Sequence, residues 1–330
     1  MVKRPNALHV PTVDAELMRR FPLFTDMLAA ASTRVPKRIA GYLLGGADTE
    51  GGLAENCAAF ARMRLLPRYG IDISQLSTEV ELFGRTYAAP FGVAPVGYSS
   101  AIWPGSEQAL AMAAQTANVP YISSTFAIEP LESIRRCAPG VAWFQIYYFQ
   151  SMETTLALVK RAGLAGYHVL VLTIDIPTYS KRTRDHRNGL QFPPVMTPAL
   201  LAEVAMTPVW AAEFLKRPYP LPGNLMTYAR NPSGGEAALR ELLGTTEVHA
   251  ITWDEVSAVR KAWPGRLVIK GIQHPRDAET AVALGADGVI VSNHGGRQFD
   301  AAPAPINSLP AVVAVPSLYD TQANNGQPVA

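Results

Sequence analysis

The chain has 330 residues and a formal net charge of +2, with 48% hydrophobic and 17% charged residues. This much apolar sequence can build a large core and excludes a disordered chain, while the near-neutral charge excludes a strongly electrostatic nucleic-acid binder. The length suits two domains or one large α/β barrel with extensions, because such barrels reach about 250 residues as a single unit.

Residues 1–87 are predicted to form an N-terminal helical segment. A first helix begins near Thr12 or Asp14, a second begins after Pro36, and Leu53–Met63 predicts a third. The basic residues near the N-terminus are not followed by an apolar stretch, so no signal peptide is predicted. No run approaches the roughly 18 apolar residues of a membrane-spanning helix.

From residue 88 onward, short apolar runs alternate with amphipathic runs at a spacing of about 25–30 residues, which is typical of parallel strands joined by helices. The strand runs are continuously apolar, so both faces of the sheet are expected to be buried. The predicted strands are Pro90–Val96, Pro120–Ser124, Val141–Tyr147, Val169–Ile174, Leu267–Gly271 and Gly288–Ser292. The predicted helices between them are Ser106–Ala117, Leu131–Cys137, Met152–Ala165 and Pro275–Leu284.

Two segments interrupt this pattern. Residues 178–250 form a long insertion, which is typically either functional or disordered. Within it, Thr197–Leu215 could be an amphipathic helix that contacts a membrane, although its prolines and glutamates favour a surface lid helix. Residues 316–330 are polar and lack periodicity, and they are predicted to form a disordered tail.

The two cysteines, Cys57 and Cys137, are too few for a disulfide framework or a metal site built from cysteine alone. Two reduced thiols are expected in a cytoplasmic protein, with peripheral contact to the inner membrane face left open. The sequence contains no G-x-G-x-x-G, Walker A, H-E-x-x-H or G-x-S-x-G motif. This argues against a nicotinamide- or ATP-dependent enzyme of the common folds.

Polar side chains gather at the carboxyl ends of the predicted strands. In a parallel barrel this rim carries the catalytic residues, and in an open doubly wound sheet the ligand crevice lies on the same side. In either fold these side chains should converge on one site. They are Gln145, Tyr147, Thr173, Asp175, Lys270, Ser292, Asn293 and His294.

The strongest local signal is Ser-Asn-His-Gly-Gly-Arg-Gln at residues 292–298. A lone histidine is more often structural, but His294 follows a buried strand and precedes two glycines and an arginine. A base beside a cation suits proton abstraction next to a carboxylate. Asp175 could orient a charging imidazole, or simply cap a loop. Lys270 is hard to explain by packing, because an unpaired buried ammonium is costly, and it suits an anionic cofactor atom.

With this motif, the chain resembles the FMN-dependent α-hydroxy-acid dehydrogenases and oxidases, which include lactate and mandelate dehydrogenases and glycolate oxidase. The similarity covers about residues 17–313, and the motif at 292–298 is the active-site signature of that family. The supporting matches, in the same order along the chain, are Leu53-Ala54-Glu55-Asn56, Ala94-Pro95, Trp143-Phe144-Gln145-Ile146-Tyr147, Leu172-Thr173-Ile174-Asp175 and Val268-Ile269-Lys270-Gly271.

The resemblance implies an α/β fold, a TIM (β/α)8-type barrel with FMN at its rim, and the oxidation of an L-2-hydroxy acid to a 2-keto acid. It implies that His294 is the base, that Asp175 stabilises its imidazolium, and that Tyr147 binds the substrate hydroxyl or keto oxygen. The residues implied to bind the substrate carboxylate are Tyr42, Arg182 and Arg297.

On the flavin side, the resemblance implies that Lys270 stabilises negative charge at the N1–O2 edge of the reduced ring. The other residues implied to contact FMN are Pro95, Val96 and Gly97 at the ring face, Ser123, Gln145 and Thr173 at its polar edge, and Ser292 near the ribityl chain. The implied partners are a small 2-hydroxy acid and an electron acceptor, either oxygen or a membrane quinone. The family also suggests a homo-oligomer, in particular a tetramer.

The sequence departs from the family after the histidine motif. The family's barrel continues with two more strand–helix units that hold the flavin phosphate, whereas here a polar tail follows residue 315. Residues 88–315 are therefore predicted to form an incomplete barrel, since six predicted strands are fewer than the eight of a closed one. A truncated, inactive remnant that cannot hold FMN is the alternative to a working enzyme. A flavin-dependent isomerase is a third candidate, but it does not account for the His-Gly-Gly-Arg cluster.

Overall fold

The computed structural model describes residues 15–149, 151–190, 196–217, 220–244 and 250–315. Its N-terminal part is helical as far as Arg62, as predicted. The helices are α1 (Ala15–Arg20), α2 (Phe24–Arg34), α3 (Lys37–Leu44) and α4 (Gly51–Arg62). Thr12 and Asp14, near which the first helix was predicted to begin, lie outside the described residues.

A β-hairpin, and not a helix, ends the N-terminal segment. Its strands are β1 (Val80–Leu82) and β2 (Arg85–Tyr87), which pair antiparallel. The turn residues Phe83 and Gly84 both have positive φ angles, 54° and 77°, as a type I′ turn requires. The indole N–H of Trp143 donates to the Tyr87 hydroxyl at 3.0 Å and fastens the hairpin to the central sheet. The helical prediction over residues 1–87 is therefore wrong at this end.

The centre of the described structure is a parallel sheet of five strands whose spatial order follows the chain order. The strands are β3 (Tyr121–Ser123), β4 (Ala142–Tyr147), β5 (Val169–Thr173), β6 (Arg266–Ile272) and β7 (Gly288–Val291). Five of the predicted strands are thereby confirmed, with ends that differ by at most one residue. Residues such as Leu170, Leu172 and Ile269 are wholly buried, which agrees with a sheet covered on both faces.

The first predicted strand, Pro90–Val96, forms only a single parallel bridge, between Val93 and Tyr121. Two backbone hydrogen bonds of 2.8 and 3.0 Å flank this bridge. The next bonds of the ladder would need an N–H group on Pro95 and on Pro120, and proline has none, so the pairing extends in neither direction. The described residues thus place six parallel segments side by side, and together they form an incomplete α/β barrel.

Helices connect the parallel strands as the spacing predicts. The predicted helices are confirmed as α6 (Ser106–Ala117), α7 (Leu131–Cys137), α8 (Met152–Leu164) and α14 (Pro275–Ala283). Three further helices complete the described connections, namely α5 (Ser99–Ile102), α13 (Trp253–Ala262) and α15 (Pro305–Val313).

The insertion after β5 is folded in its described parts. Its helices are α9 (Thr183–Asn188), α10 (Pro198–Ala205), α11 (Pro208–Leu215) and α12 (Gly235–Gly244). The single helix predicted over Thr197–Leu215 is wrong, because α10 and α11 meet at 107° where Pro208 starts a new helix. Leu200 and Trp210 are buried against the N-terminal helices, and the Trp210 indole N–H donates to the Ile102 carbonyl at 2.7 Å.

In the described ranges, no single helix is long and apolar enough to cross a membrane, and α10 and α11 meet that test only together, as a bent pair. The predicted tail at 316–330 lies outside the described residues.

Candidate active site

A cavity of about 980 Å³ lies at the carboxyl ends of the parallel strands. Its wall comes from α3, from residues 94–98, from Lys270 of β6, and from the connections that follow β3, β4, β5 and β7. The site residues predicted from the sequence that line it are Tyr42, Pro95, Val96, Gly97, Tyr147, Thr173, Arg182, Lys270, Ser292, His294 and Arg297. The parallel strands therefore bring together side chains that lie up to 255 positions apart in the sequence.

His294, Asp175 and Lys270 form a compact cluster at this wall. His294 Nδ1 lies 2.8 Å from Asp175 Oδ1, and Lys270 Nζ lies 3.6 Å from Asp175 Oδ2 and 3.5 Å from His294 Nδ1. A carboxylate can only accept hydrogen bonds, so His294 Nδ1 carries a proton and donates a hydrogen bond to Asp175. This tautomer leaves Nε2 of His294 with a free lone pair, as a base requires.

The charges of the cluster follow from burial and from the contacts just described. Burial lowers the pKa of His294, and the positive charges of Lys270 and Arg182 lower it further, against the opposing effect of Asp175. Burial would raise the pKa of Asp175, but the hydrogen bond from His294 and the charge of Lys270 outweigh it and the pKa is lowered. At neutral pH, His294 is therefore neutral and ready to accept a proton, while Asp175 is ionised.

Gly271 makes room for Asp175 beside β6. The register of β6 against β7 shifts between Lys270 and Ile272, and Gly271 at this irregularity has a φ of +109°. A Cβ atom at Gly271 would lie 2.5 Å from the Asp175 Cβ. Only glycine accommodates both the positive φ and this close approach, so Gly271 lets Asp175 reach His294 and Lys270.

The loop that carries His294 is held in an unusual conformation. His294 has a φ of +58°, and the following Gly295 and Gly296 also have positive φ angles. Such a backbone is strained for histidine and persists only when its surroundings fix it. Asn293 provides this restraint, since its side chain accepts from the Gly296 N–H at 3.1 Å and exchanges two hydrogen bonds with the Asn56 amide, at 2.8 and 3.1 Å.

Two guanidinium groups meet at Tyr42, at one end of the cavity. Arg182 and Arg297 lie 5.3 and 5.1 Å from the centre of the Tyr42 ring. Arg297 is held by hydrogen bonds to the carbonyls of Leu43 and Gly45. Burial lowers the pKa of Arg297, and the positive charge of the nearby Arg182 lowers it further. A pair of guanidinium groups suits a carboxylate, which they can bind with paired N–H donors.

Asp185, in α9, lines the same cavity, and the sequence analysis missed it. Its Oδ1 atom is buried and has no hydrogen-bond partner among the described residues. Burial raises the pKa of Asp185, although the charges of Arg182 and Arg297 oppose that shift. The available signal was spacing, because Asp185 follows Arg182 by three positions, about one helical turn.

Aromatic rings form the wall next to the histidine. Phe126 lies 5.9 Å from Tyr98, 5.6 Å from Tyr147 and 6.3 Å from Phe149, measured between ring centres. The Tyr147 ring is 6.4 Å from the His294 ring. Burial raises the pKa of Tyr147, so its hydroxyl stays protonated and can donate a hydrogen bond.

Ser123, Gln145 and Asp175 do not line the cavity, although all three were predicted site residues. Ser123 is buried in β3, and the neighbouring Ser124 lines the wall instead. Gln145 lies behind that wall, where its side-chain N–H donates to the Thr173 hydroxyl at 2.9 Å and its oxygen accepts from the Ser124 hydroxyl at 3.3 Å. Asp175 contacts His294 and Lys270 without lining the cavity itself.

The chain matches the FMN-dependent dehydrogenase family over residues 31–323. It belongs to this family. It is 36% identical over 290 residues to an L-lactate dehydrogenase of Stenotrophomonas maltophilia strain K279a, which covers 87% of this chain and 76% of that protein. It is 32% identical over 299 residues to an (S)-mandelate dehydrogenase of Pseudomonas putida, with 90% and 75% covered.

Solved structures agree with this assignment. The crystal structure of the monotopic membrane protein (S)-mandelate dehydrogenase superimposes with a TM-score of 0.83 at 32% identity, covering 89% of this chain and 79% of that one. A mandelate oxidase superimposes with a TM-score of 0.71 to 0.72 at 33 to 34% identity, with 89% of this chain and 75% of that one covered in one structure. One of these structures contains an adduct of FMN, which is the cofactor of the FMN-dependent dehydrogenases.

The donors in the cavity fit the ring of a flavin. With FMN bound, Lys270 would offer an ammonium group to the anionic edge of the ring, and the Ser124 and Thr173 hydroxyls would offer neutral hydrogen bonds. Gly97 lies in the segment 94–97, and a Cβ atom there would approach Phe126 Cβ to 3.0 Å, so the wall is already closely packed at this point. Among the described residues, the lysine and arginine side chains that line the cavity are Arg182, Lys270 and Arg297.

Proposed function

We propose that this chain oxidises an L-2-hydroxy acid of the lactate, mandelate or glycolate class to the 2-keto acid, with His294 as the base. The family and its named members support FMN-dependent oxidation of 2-hydroxy acids such as lactate and mandelate. The observation that carries the proposal is the His294–Asp175 hydrogen bond of 2.8 Å at a cavity that also holds a pair of arginines.

Substrate binding begins at the arginine pair. Arg182 and Arg297 bind the substrate carboxylate, and Tyr42 keeps the two guanidinium groups in place by stacking against both of them. Such fixed contacts orient the substrate so that its hydroxyl-bearing carbon faces His294. The aromatic wall around Phe126 surrounds the remainder of the substrate.

Proton transfer is the task of His294. Its Nε2 atom accepts a proton from the CH–OH group that becomes the keto group, and Asp175 stabilises the imidazolium that forms. The protonated Tyr147 hydroxyl donates a hydrogen bond to the substrate oxygen. FMN, when bound, would take up the two electrons and the second hydrogen of the CH–OH group. Ser124, Thr173, Lys270, Ser292 and the backbone at 95–97 are the residues that would hold it.

Turnover of lactate, mandelate and glycolate with a dye acceptor tests this proposal. We expect His294→Asn to lower kcat by about 10²- to 10⁴-fold, the usual contribution of a general base. His274→Asn is the matched control, because His274 caps α14 with its side chain and asparagine serves equally well there. A flavin-loaded protein that turns over none of the three acids contradicts the proposal, and a protein that never binds FMN supports the inactive remnant instead.

We further propose peripheral membrane contact through the outer face of α10 and α11, with a membrane quinone as electron acceptor and oxygen as the alternative. The support is the monotopic membrane protein among the structural neighbours and three exposed apolar side chains, Leu201, Met206 and Leu215. Leu200 and Trp210 cannot contribute, because they are buried within the protein.

Flotation with lipid vesicles tests this contact. Replacing Leu201, Met206 and Leu215 together by serine should shift the protein from the vesicle fraction to the free fraction, since each buried side chain of this size contributes about 1.5–3 kcal/mol. Leu164→Ser is the matched control, because Leu164 of α8 is 82% exposed, as is Leu215. Unchanged partitioning of the triple variant contradicts the proposal.

The homo-oligomeric state of the chain remains a prediction.

A further inference from the structure

The connection between β3 and α7 contributes Ser124 and Phe126 to the cavity wall. It contains no helix or strand of its own, so its position depends on other contacts. Two buried side chains that do not line the cavity provide them. They are Glu107 of α6, which is 1% exposed, and Asn224 of the insertion, which is fully buried.

Glu107 accepts hydrogen bonds from three backbone N–H groups, two of which belong to this connection. Its Oε1 atom accepts from Ser100 at 3.2 Å and from Ile128 at 3.1 Å, and its Oε2 atom accepts from Glu129 at 2.8 Å. A buried carboxylate is costly unless its oxygens are hydrogen-bonded, and here both oxygens are. Glu107 thereby ties the start of α5 to the connection.

Asn224 binds the same connection mainly through backbone carbonyls, whereas Glu107 binds it through backbone N–H groups. Its Oδ1 atom accepts from the Leu131 N–H at 2.7 Å, and its Nδ2 group donates to the carbonyls of Ser124 at 3.2 Å and Thr125 at 3.3 Å. The preceding Gly223 N–H donates to the Ala127 carbonyl at 3.0 Å. The insertion is thus fastened to the stretch that presents Ser124 to the cavity.

Residues 124–125, which Asn224 holds, are hydrogen-bonded through Gln145 to Thr173 at the cavity wall. The Thr125 hydroxyl donates to the Gln145 carbonyl at 2.6 Å, the Ser124 hydroxyl donates to the Gln145 side chain, and Gln145 in turn donates to Thr173. We propose that Glu107 and Asn224 are positioning residues that hold Ser124 and Thr173 at the place where the polar edge of the flavin binds. This inference rests on the proposed function.

Two isosteric variants remove the contacts selectively. Asn224→Asp keeps the acceptor for Leu131 but turns the donor that faces two carbonyls into a carboxylate oxygen. Glu107→Gln keeps one oxygen and places an NH₂ group against a backbone N–H donor. We expect each variant to raise the Kd for FMN by about 10- to 100-fold, and to lower kcat with little change in KM, because small displacements at a site have effects of this size.

Tyr87→Phe is the matched control. It removes another buried hydrogen bond, from Trp143, at residues that do not line the cavity. We expect Tyr87→Phe to lower Tm while leaving the FMN Kd and the visible spectrum of bound FMN unchanged. Ser124→Ala closes a double-mutant cycle, in which the effects of Ser124→Ala and Asn224→Asp on FMN affinity should be clearly less than additive.

Equilibrium titration with FMN, read by quenching of flavin fluorescence, decides between the outcomes. If Asn224→Asp fails to fold, Glu107→Gln carries the same test. Variants with a lowered Tm that still bind FMN with wild-type affinity, and with the wild-type visible spectrum of bound FMN, overturn the inference. They leave the proposed function intact. Wild-type protein that binds no FMN overturns both, whereas wild-type protein that binds FMN without turning over a hydroxy acid contradicts only the proposed function.

Discussion

Replacing Gly271 by alanine perturbs the His294–Asp175 pair without altering either residue. The new methyl group would lie 2.5 Å from the Asp175 Cβ, whereas ordinary contact begins near 3.4 Å, so Asp175 has to move by close to 1 Å. A shift of that size away from His294 takes their 2.8 Å hydrogen bond beyond the usual limit. Losing a hydrogen bond to a charged group costs about 1.5–3 kcal/mol, which corresponds to a roughly 10- to 100-fold fall in kcat.

The pH dependence of kcat shows whether Asp175 has moved. Asp175 raises the pKa of His294, so its displacement should shift the acid limb of the profile to lower pH. Gly70→Ala is the control, because Gly70 also has a positive φ, +72°, but has open space where the Cβ would lie. Both variants carry backbone strain, and only Gly271→Ala should change kcat and the profile. Equal effects from the two glycine variants, or a Gly271→Ala enzyme with an unchanged profile, would refute this reasoning.

Three further predictions address neighbouring parts of the site. Burial lowers the pKa of His294, so the imidazole stays neutral at the ordinary histidine pKa, and kcat should decline only below pH ~6.5. An acid limb of the pH profile centred above that value contradicts this. Asp185→Asn should lower KM for monocarboxylate substrates and strengthen inhibition by the keto acid, since it removes a negative charge beside Arg182 and Arg297; unchanged values in steady-state kinetics count against it. Asn56→Ala should reduce the free energy of unfolding by about 1–3 kcal/mol in urea denaturation, because it leaves Asn293 without its amide partner, and wild-type stability would contradict the assigned restraint.

Much of the fold was predictable because its signals are local. Continuous apolar runs predicted the strands from β3 to β7, and polar residues after them predicted where the cavity lies. The strand expected at Pro90–Val96 is reduced to one bridge, because two prolines remove the N–H groups that pairing needs. The β1–β2 hairpin has a signal in its alternating residues around Phe83-Gly84, which the sequence analysis did not use.

Details of the site depend on long-range packing that the sequence does not display. Ser123 and Ser124 are adjacent and chemically identical, and only the direction of each side chain at the end of β3 makes Ser124 the one that lines the cavity. The Gln145 side chain lies in a hydrogen-bond network behind the wall. Its partners there are Ser124, which follows β3, and Thr173 of β5. Glu107 and Asn224 are even less predictable, since they bind backbone groups of a connection far from them in sequence.

The most direct test of the account is the FMN content of the purified chain, followed by anaerobic addition of an L-2-hydroxy acid. We predict close to one FMN per chain after incubation with the cofactor, and bleaching of the flavin absorbance when lactate or mandelate is added. A chain that takes up no FMN under these conditions would contradict the central claim, and residues 292–298 would then be a family signature without a working site.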